Sequence, residues 1–309
     1  MTESINFPRN GVTIGIPIYN EEKYIEAAIR SAAPQCEAVW VSDNASTDGS
    51  AAICERASRE YHNVHFTQQP QNMGAARNFK FVLDKAETPY FMWLGGHDLL
   101  PDGYVTLLMQ LLEGCPDAVL AYGAARHVDV IGKPAGNYDY SYHAILSDKS
   151  PAIRLLGLIR NVSNCSFIHG IFRTDVLRDV LTAAGADVYI GADIFLLGCA
   201  AVQGSFLYAP ETYLIRRNAH PTDTKQDQLK RMDPCQLDSL KLTYLELQRR
   251  LYGLASSVSE STGFFGFLYR LKVRFILVKR FGPFGDTFLM RSLDAVLQFF
   301  ARVVRYSTL

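Results

Sequence analysis

Between residues 12 and 122 the chain alternates short, almost uninterrupted apolar runs with segments of helical period, and this alternation constrains the fold more than any other feature. Strands are expected at 12–19, 38–42, 64–68, 90–94 and 118–122. Helices are expected at 21–33 (ended by Pro34), 48–61 (capped by Ser46 or Thr47), 75–85 and 103–113. A strand apolar on both faces needs cover on both, so the pattern predicts an α/β fold: a Rossmann-like, mostly parallel sheet flanked by helices. Ligands of such sheets bind beyond the carboxyl ends of the strands. Tyr19-Asn20-Glu21, Asp43-Asn44 and His97-Asp98 all fall at that edge.

The middle of the chain is more mixed, with strands expected at 167–172 and 205–208 and helices at 175–184 and 193–202. A polar connector is expected at 226–238, and beyond it the pattern is helical, with breaks near 256–263 and 282–285. Two units are expected: an α/β domain over 1–235 and a basic, amphipathic helical extension over 236–309. The formal net charge is zero, which gives no field for nucleic acid. That balance hides a contrast, because residues 240–309 hold eleven Lys/Arg against four acids. Six scattered cysteines without a C-x-x-C pair fit a reduced, cytoplasmic setting. Asn161-Val162-Ser163 matches a glycosylation sequon, a triplet common by chance. Residues 1–10 lack the basic-then-apolar order of a signal segment, and no stretch is apolar enough to span a bilayer.

The turn after the first strand carries neither G-x-G-x-x-G nor G-x-x-x-x-G-K-[ST], which removes the main support for dinucleotide and P-loop readings. In their place stand Ile16-Pro17-Ile18-Tyr19-Asn20-Glu21, Val41-Ser42-Asp43-Asn44-Ala45-Ser46-Thr47-Asp48-Gly49, Asn72-Met73-Gly74-Ala75-Ala76-Arg77-Asn78 and Trp93-Leu94-Gly95-Gly96-His97-Asp98. In this order, over about residues 11–220, the chain resembles the family 2 glycosyltransferases, whose GT-A fold binds a nucleoside diphosphate sugar across the same strand ends.

The resemblance implies a donor site of Pro17, Tyr19, Glu21, Asp43, Asn44, Arg77, His97, Asp98, Arg216 and His220. Tyr19 can stack on the base while Pro17 stiffens the loop presenting it. Asp43 would accept from the base's imide N–H, favouring a UDP- or dTDP-sugar; an Asx turn ahead of the next helix is its other reading. Arg77 stands near base or phosphates, or on a solvated helix face. Asp48 fits the first turn of a helix better than a ligand contact.

The fourth strand's end normally carries a D-x-D-D-like string in this family. Here Gly95 and His97 replace acids, so a divalent cation, Mg²⁺ or Mn²⁺, would be held by Asp98 and His97 with the diphosphate oxygens. Otherwise His97 meets donor or acceptor directly.

The segment Ile190-Gly191-Ala192-Asp193, after Gly170-Ile171-Phe172-Arg173, resembles the family's G-E-D segment with Ala192 replacing the glutamate. The resemblance makes Asp193 the general base of an inverting transfer; its other reading is a helix N-cap. Arg216, Arg217 and His220 resemble the closing R-x-H-like segment, and strand alternation lets only one of the adjacent arginines point inward. His169 is the remaining histidine closest to these motifs.

The extension, with an amphipathic helix expected over 288–305 and an apolar, basic one over 264–280, suits an anionic membrane surface, packing on the catalytic domain, or a homo-oligomer. The expected partners are thus a nucleotide-sugar donor, a glycan or lipid-linked acceptor, and the inner face of the cell membrane. A nucleotide-sugar-binding protein without transferase activity is the alternative function.

Overall fold

A computed structural model describes residues 11–137, 143–162, 165–184, 191–219, 240–258 and 264–281. The expected connector at 226–238, the boundary at 235/236, His220 and the helix at 288–305 lie outside these residues.

The elements are β1 Val12–Ile18, α1 Ile25–Ala32, β2 Ala38–Asp43, α2 Ser50–Glu60, β3 Val64–Gln68, α3 Ala75–Asp84, β4 Tyr90–Trp93, α4 Tyr104–Glu113, β5 Ala118–Val128 and β6 Pro134–Asn137. After them come α5 His143–Leu146, α6 Pro151–Asn161, β7 Ile171–Arg173, α7 Thr174–Ala184, α8 Ala192–Gln203, β8 Ser205–Arg217, α9 Leu240–Ser257 and α10 Phe264–Phe281.

The sheet runs β3-β2-β1-β4-β7-β5-β6, with β8 also paired to β5. β1 to β4 are mutually parallel, β7 is antiparallel to β4 and β5, and β8 runs parallel to β5. The order turns back on itself between β1 and β4, and such a reversal opens a crevice at the strands' carboxyl ends. Successive side chains point to opposite faces of a strand. On β4, accordingly, Phe91 and Trp93 join one apolar cluster and Met92 and Leu94 the other.

Several expectations shift. The helix expected at 21–33 begins only at Ile25, because Asn20 takes a positive φ of 58° and residues 21–24 form a turn closed by Tyr24 N–H donating to Glu21 O. β5 and β8 run well past 122 and 208, since their polar ends pair with each other: Arg126 lies 3.4 Å over the Tyr213 ring. The strand expected at 167–172 is instead a 3₁₀ turn, Ser166–His169, followed by the short β7. α6, which begins behind a Ser150 cap with Pro151 in its first turn, was not expected at all.

The helices α9 and α10 pack on the α/β domain. Leu247, Leu251 and Ala255 of α9 and Val273 and Leu277 of α10 belong to the apolar cluster that contains Trp93 and Phe172. Arg280 donates to the carbonyls of Ile159 (2.7 Å) and Val162, satisfying the open end of α6. Gly191, at φ +85°, starts α8 so close to α9 that a Cβ there would stand 2.5 Å from Leu247 Cδ2.

Candidate active site

Two loops at the carboxyl ends of β1 and β2 are laced by their own side chains. Asn20 Oδ1 accepts from Thr47 N–H at 2.9 Å, and Asn20 N–H donates to Ser46 Oγ at 2.8 Å. Asp43, fully buried, accepts from Ser46 N–H (3.1 Å), from the Ser46 hydroxyl, and from Gln68 Nε2 at 3.3 Å. Its carboxylate therefore holds the Asx-type turn at the tip of β2, with Ala45 at φ +61°. Asn44 joins this turn to the next loop, donating to Asn72 Oδ1 (2.9 Å) and accepting from Met73 N–H (2.8 Å). Asp48 lies ahead of α2 and not in its first turn: it accepts from Ser50 N–H at 3.0 Å and from Glu22 N–H at 3.1 Å, while Gly49 stands at the N-cap in place of the expected Ser46 or Thr47. Pro17 is buried inside β1, Tyr19 is half-buried just past it, and Arg77 lies exposed on α3.

β4 ends beside β1, and this neighbourhood brings Glu21 to His97. The Glu21 carboxylate can only accept, so His97 Nδ1–H donates to its Oε1 at 2.8 Å. Burial disfavours the imidazolium, but this hydrogen bond and the nearby carboxylate of Asp98 hold the His97 pKa above its usual value. Nε2 turns to the other side. The point where a Gly95 Cβ would sit is 3.7 Å from His97 Nε2 and 2.8 Å from Asp98 Oδ2, so both donors border one space that only glycine leaves open.

Asp98 is fully buried. Its Oδ1 accepts from Arg217 N–H at 3.0 Å, and its Oδ2 lacks a hydrogen-bond donor, the Arg216 Nε standing 3.6 Å away. Burial alone would raise its pKa, yet Arg216 and His97 hold the carboxyl below the usual range. A two-way backbone pairing of Leu99 with Ile215, at 3.0 Å each way, fixes this register. The adjacent arginines diverge as strand alternation requires. Arg216 turns to Asp98, whereas Arg217 donates to the carbonyls of Asp129 and Val130 and covers the Tyr24 ring at 4.8 Å.

His169 does join the site. It is buried, its Nδ1 meets the Trp93 carbonyl at 3.0 Å, and burial together with Arg216 pushes its pKa down to about 4. The same turn carries two residues that sequence reasoning missed. Ser166 Oγ accepts from Arg216 Nη1 at 3.3 Å. The Cys165 thiol is pushed well up, first by burial and then by the nearby carboxylate of Asp193. Asp193 itself is exposed in the first turn of α8, and its Oδ1 accepts from Ile194 N–H at 2.9 Å.

Among the described residues no group of three or more His, Cys, Asp or Glu side chains is set to hold a metal ion. Asp98 Oδ2, which no hydrogen-bond donor reaches, fits a cation together with His97 Nε2, as two ligands whose shell a diphosphate completes.

An open α/β sheet of this order, with its polar side chains at one edge, is the GT-A architecture of nucleotide-sugar transferases. The chain belongs to glycosyltransferase family 2, whose model, "Glycosyl transferase family 2", matches residues 13–181. A teichoic acid poly(glycerol phosphate) polymerase of Staphylococcus epidermidis is 32% identical over 106 residues, 33% of this chain and 15% of that protein. The succinoglycan biosynthesis protein ExoA of Rhizobium meliloti is 31% identical over 115 residues, 35% of each chain. The chain thus matches a minor part of both relatives' lengths. Among solved structures, S. aureus TarS 1-349 in complex with UDP-GlcNAc superposes with a TM-score of 0.58 at 15% identity, covering 87% of this chain and 81% of that one. The mannosyltransferase PcManGT from Pyrobaculum calidifontis, in complex with GDP-Man and Mn²⁺, gives a TM-score of 0.52 at 14% identity, covering 98% and 83%.

Proposed function

We propose that this chain is an inverting glycosyltransferase that moves a sugar from a UDP- or dTDP-sugar to a hydroxyl of a glycan or lipid-linked acceptor in surface polysaccharide synthesis. The observation that carries this reading is the meeting of Asp98, His97 and Arg216 at the β4 and β8 ends, joined by one short turn to Asp193. The roles follow from chemistry. Asp193, exposed and free to meet an acceptor, takes the hydroxyl proton as the oxygen attacks the anomeric carbon. The bond to the diphosphate breaks on the opposite face, and its electron pair leaves on the β-phosphate oxygen. Arg216 faces the charge that develops there. Asp98 Oδ2 and His97 Nε2 would hold Mg²⁺ or Mn²⁺, which supplies further charge neutralisation at the diphosphate; the imidazole favours Mn²⁺. Tyr19 and Asp43 would form the base pocket, with Pro17, Glu21 and Asn44 shaping it, and Arg77 and His220 reaching the diphosphate from its rim.

Membrane contact is proposed for α10, which presents exposed Phe267, Leu271 and Arg274. No helix among the described residues is long and apolar enough to cross a membrane. The setting proposed is the cytoplasmic face of the cell membrane, on the exposed apolar and basic side chains of α10; self-association through the extension is the competing use of that surface.

The replacements at Gly95, Ala192 and His97 favour one rival, a nucleotide-sugar-binding protein without transfer. Release of UDP from UDP-sugars, measured with and without acceptor glycans in Mg²⁺ and in Mn²⁺, separates the two. Tight binding of UDP with no release under any condition would leave the rival standing.

A further inference from the structure

We infer that Ser166 is a positioning residue for the donor site: through Arg216, the turn that carries it sets the leaving-group side of the reaction at a fixed place relative to Asp193. The inference rests on the donor reading of the β4 and β8 ends and deepens it.

Arginine has a long, rotamer-rich side chain, and holding it in one pose costs conformational entropy unless several partners fix it. Arg216 reaches Asp98 only through Nε, at 3.6 Å, longer than a hydrogen bond. Its terminal Nη1 is held instead by Ser166 Oγ at 3.3 Å, a residue 50 positions away in sequence and only 5% exposed. A buried hydroxyl aimed at a guanidinium next to an orphaned carboxylate oxygen is a clamp, not a surface decoration.

The turn behind it is closed by its own backbone and tied to β4. Ile168 N–H donates to Cys165 O at 2.9 Å, Gly170 N–H donates to Phe167 O at 3.0 Å, and His169 Nδ1 meets Trp93 O. Because Gly170 packs against β5, where a Cβ would stand 2.4 Å from Ala121 O, the turn cannot slide along the sheet. Cys165 at its start lies against Asp193 and Ser166 next to it holds Arg216. One short segment thus touches the side chain assigned to the acceptor proton and the one assigned to the diphosphate.

The test is a double-mutant cycle read by calorimetric UDP affinity, on the full chain, with Ser166→Ala, Arg216→Ala and the two combined. Arg216→Ala is expected to weaken UDP by about tenfold or more, and Ser166→Ala by about three- to tenfold, because a charge-assisted hydrogen bond is lost or loosened. The double variant should bind like Arg216→Ala alone, since the inference routes the effect of the hydroxyl on the donor through that guanidinium. Ser166→Thr, which restores the hydroxyl, should recover most of the affinity. Should Ser166→Ala fail to fold, Ser166→Cys, with similar volume and a weak acceptor, takes its place in the cycle. Unchanged affinity in the Ser166 variants, or effects that simply add, overturn the inference while leaving the donor reading intact. Unchanged affinity in Arg216→Ala overturns both.

Discussion

Glu21 and His97 are separated by 76 positions in the chain and by 2.8 Å in space, and the carboxylate decides which imidazole nitrogen faces the space beside Gly95. A histidine whose Nδ1–H is taken by a carboxylate turns the Nε2 lone pair to the opposite side, the arrangement used to orient metal-binding imidazoles. Glu21→Ala is therefore expected to weaken Mn²⁺ binding in the presence of UDP by about 10- to 100-fold, read by the electron paramagnetic resonance of free Mn²⁺. Unaltered Mn²⁺ affinity would remove His97 from the cation site.

Asp98 and Asp193 should separate by role. Asp98→Asn is expected to impair both Mn²⁺–UDP affinity and turnover. Asp193→Asn should keep UDP affinity near wild type and lower acceptor-dependent turnover by a factor of about 10² to 10⁴, the usual cost of losing a general base. Asparagine still accepts from Ile194 N–H, so the start of α8 survives. Normal turnover in Asp193→Asn would place the base elsewhere.

Asp43→Ala is expected to weaken UDP by about 1–3 kcal/mol, through a lost base contact together with a loosened Ser46–Gln68 turn. Asp43→Asn, which keeps an oxygen for Ser46 N–H, distinguishes these causes. If Asn restores UDP affinity fully while ADP binds as well as UDP, Asp43 serves the turn alone.

His169 gives the fold a pH dependence of its own. Its folded pKa of about 4 lies below the unfolded value near 6.5, so the unfolded chain binds the proton first as pH falls. Stability is complete above about pH 6.5 and is lost between there and about 4, by at most about 3 kcal/mol. His169→Asn, whose Nδ2 can still donate to Trp93 O, should show a shallower fall over that window in chelator-treated urea titrations. Equal slopes in both proteins would contradict the assignment.

The extension carries stability. Leu277→Ala should cost about 2–5 kcal/mol, since this buried side chain packs against the same cluster as Trp93. Removal of residues 261–309 deletes α10 together with the Arg280 hydrogen bonds to α6. The shortened chain should therefore melt well below the full one, as thermal unfolding will show. An unshifted melting temperature would mean that α10 is dispensable to the core.

The strands and helices of the first half were legible because each follows a local period, and residues fully buried on both faces, as in β1, leave little choice of element. The polar strand-end clusters marked the site's edge for the same reason. What stayed hidden depends on order across the sheet. Nothing local in Glu21 or His97 announces their pairing, which follows from β1 lying beside β4. The outer half of β5 shows no strand period because Arg126 and His127 are polar, and it becomes strand by pairing with the outer half of β8, a segment whose strand was legible only from its family resemblance. Ser166 stands just before a segment expected to be extended, and the turn found there is held by the reach of His169 to Trp93 O.

The docking of α9 and α10 also sets the order in which the chain can be finished. Trp93, Leu155, Phe195 and Leu197 belong to a cluster completed by Leu247, Leu251, Val273 and Leu277, which are made well after the residues they cover. During synthesis the catalytic half must therefore wait, for several seconds at ordinary elongation rates, with an apolar face uncovered. A nascent chain paused before α10 should be a good client for chaperones that bind exposed hydrophobic surface, and its release from them should coincide with the emergence of Leu277.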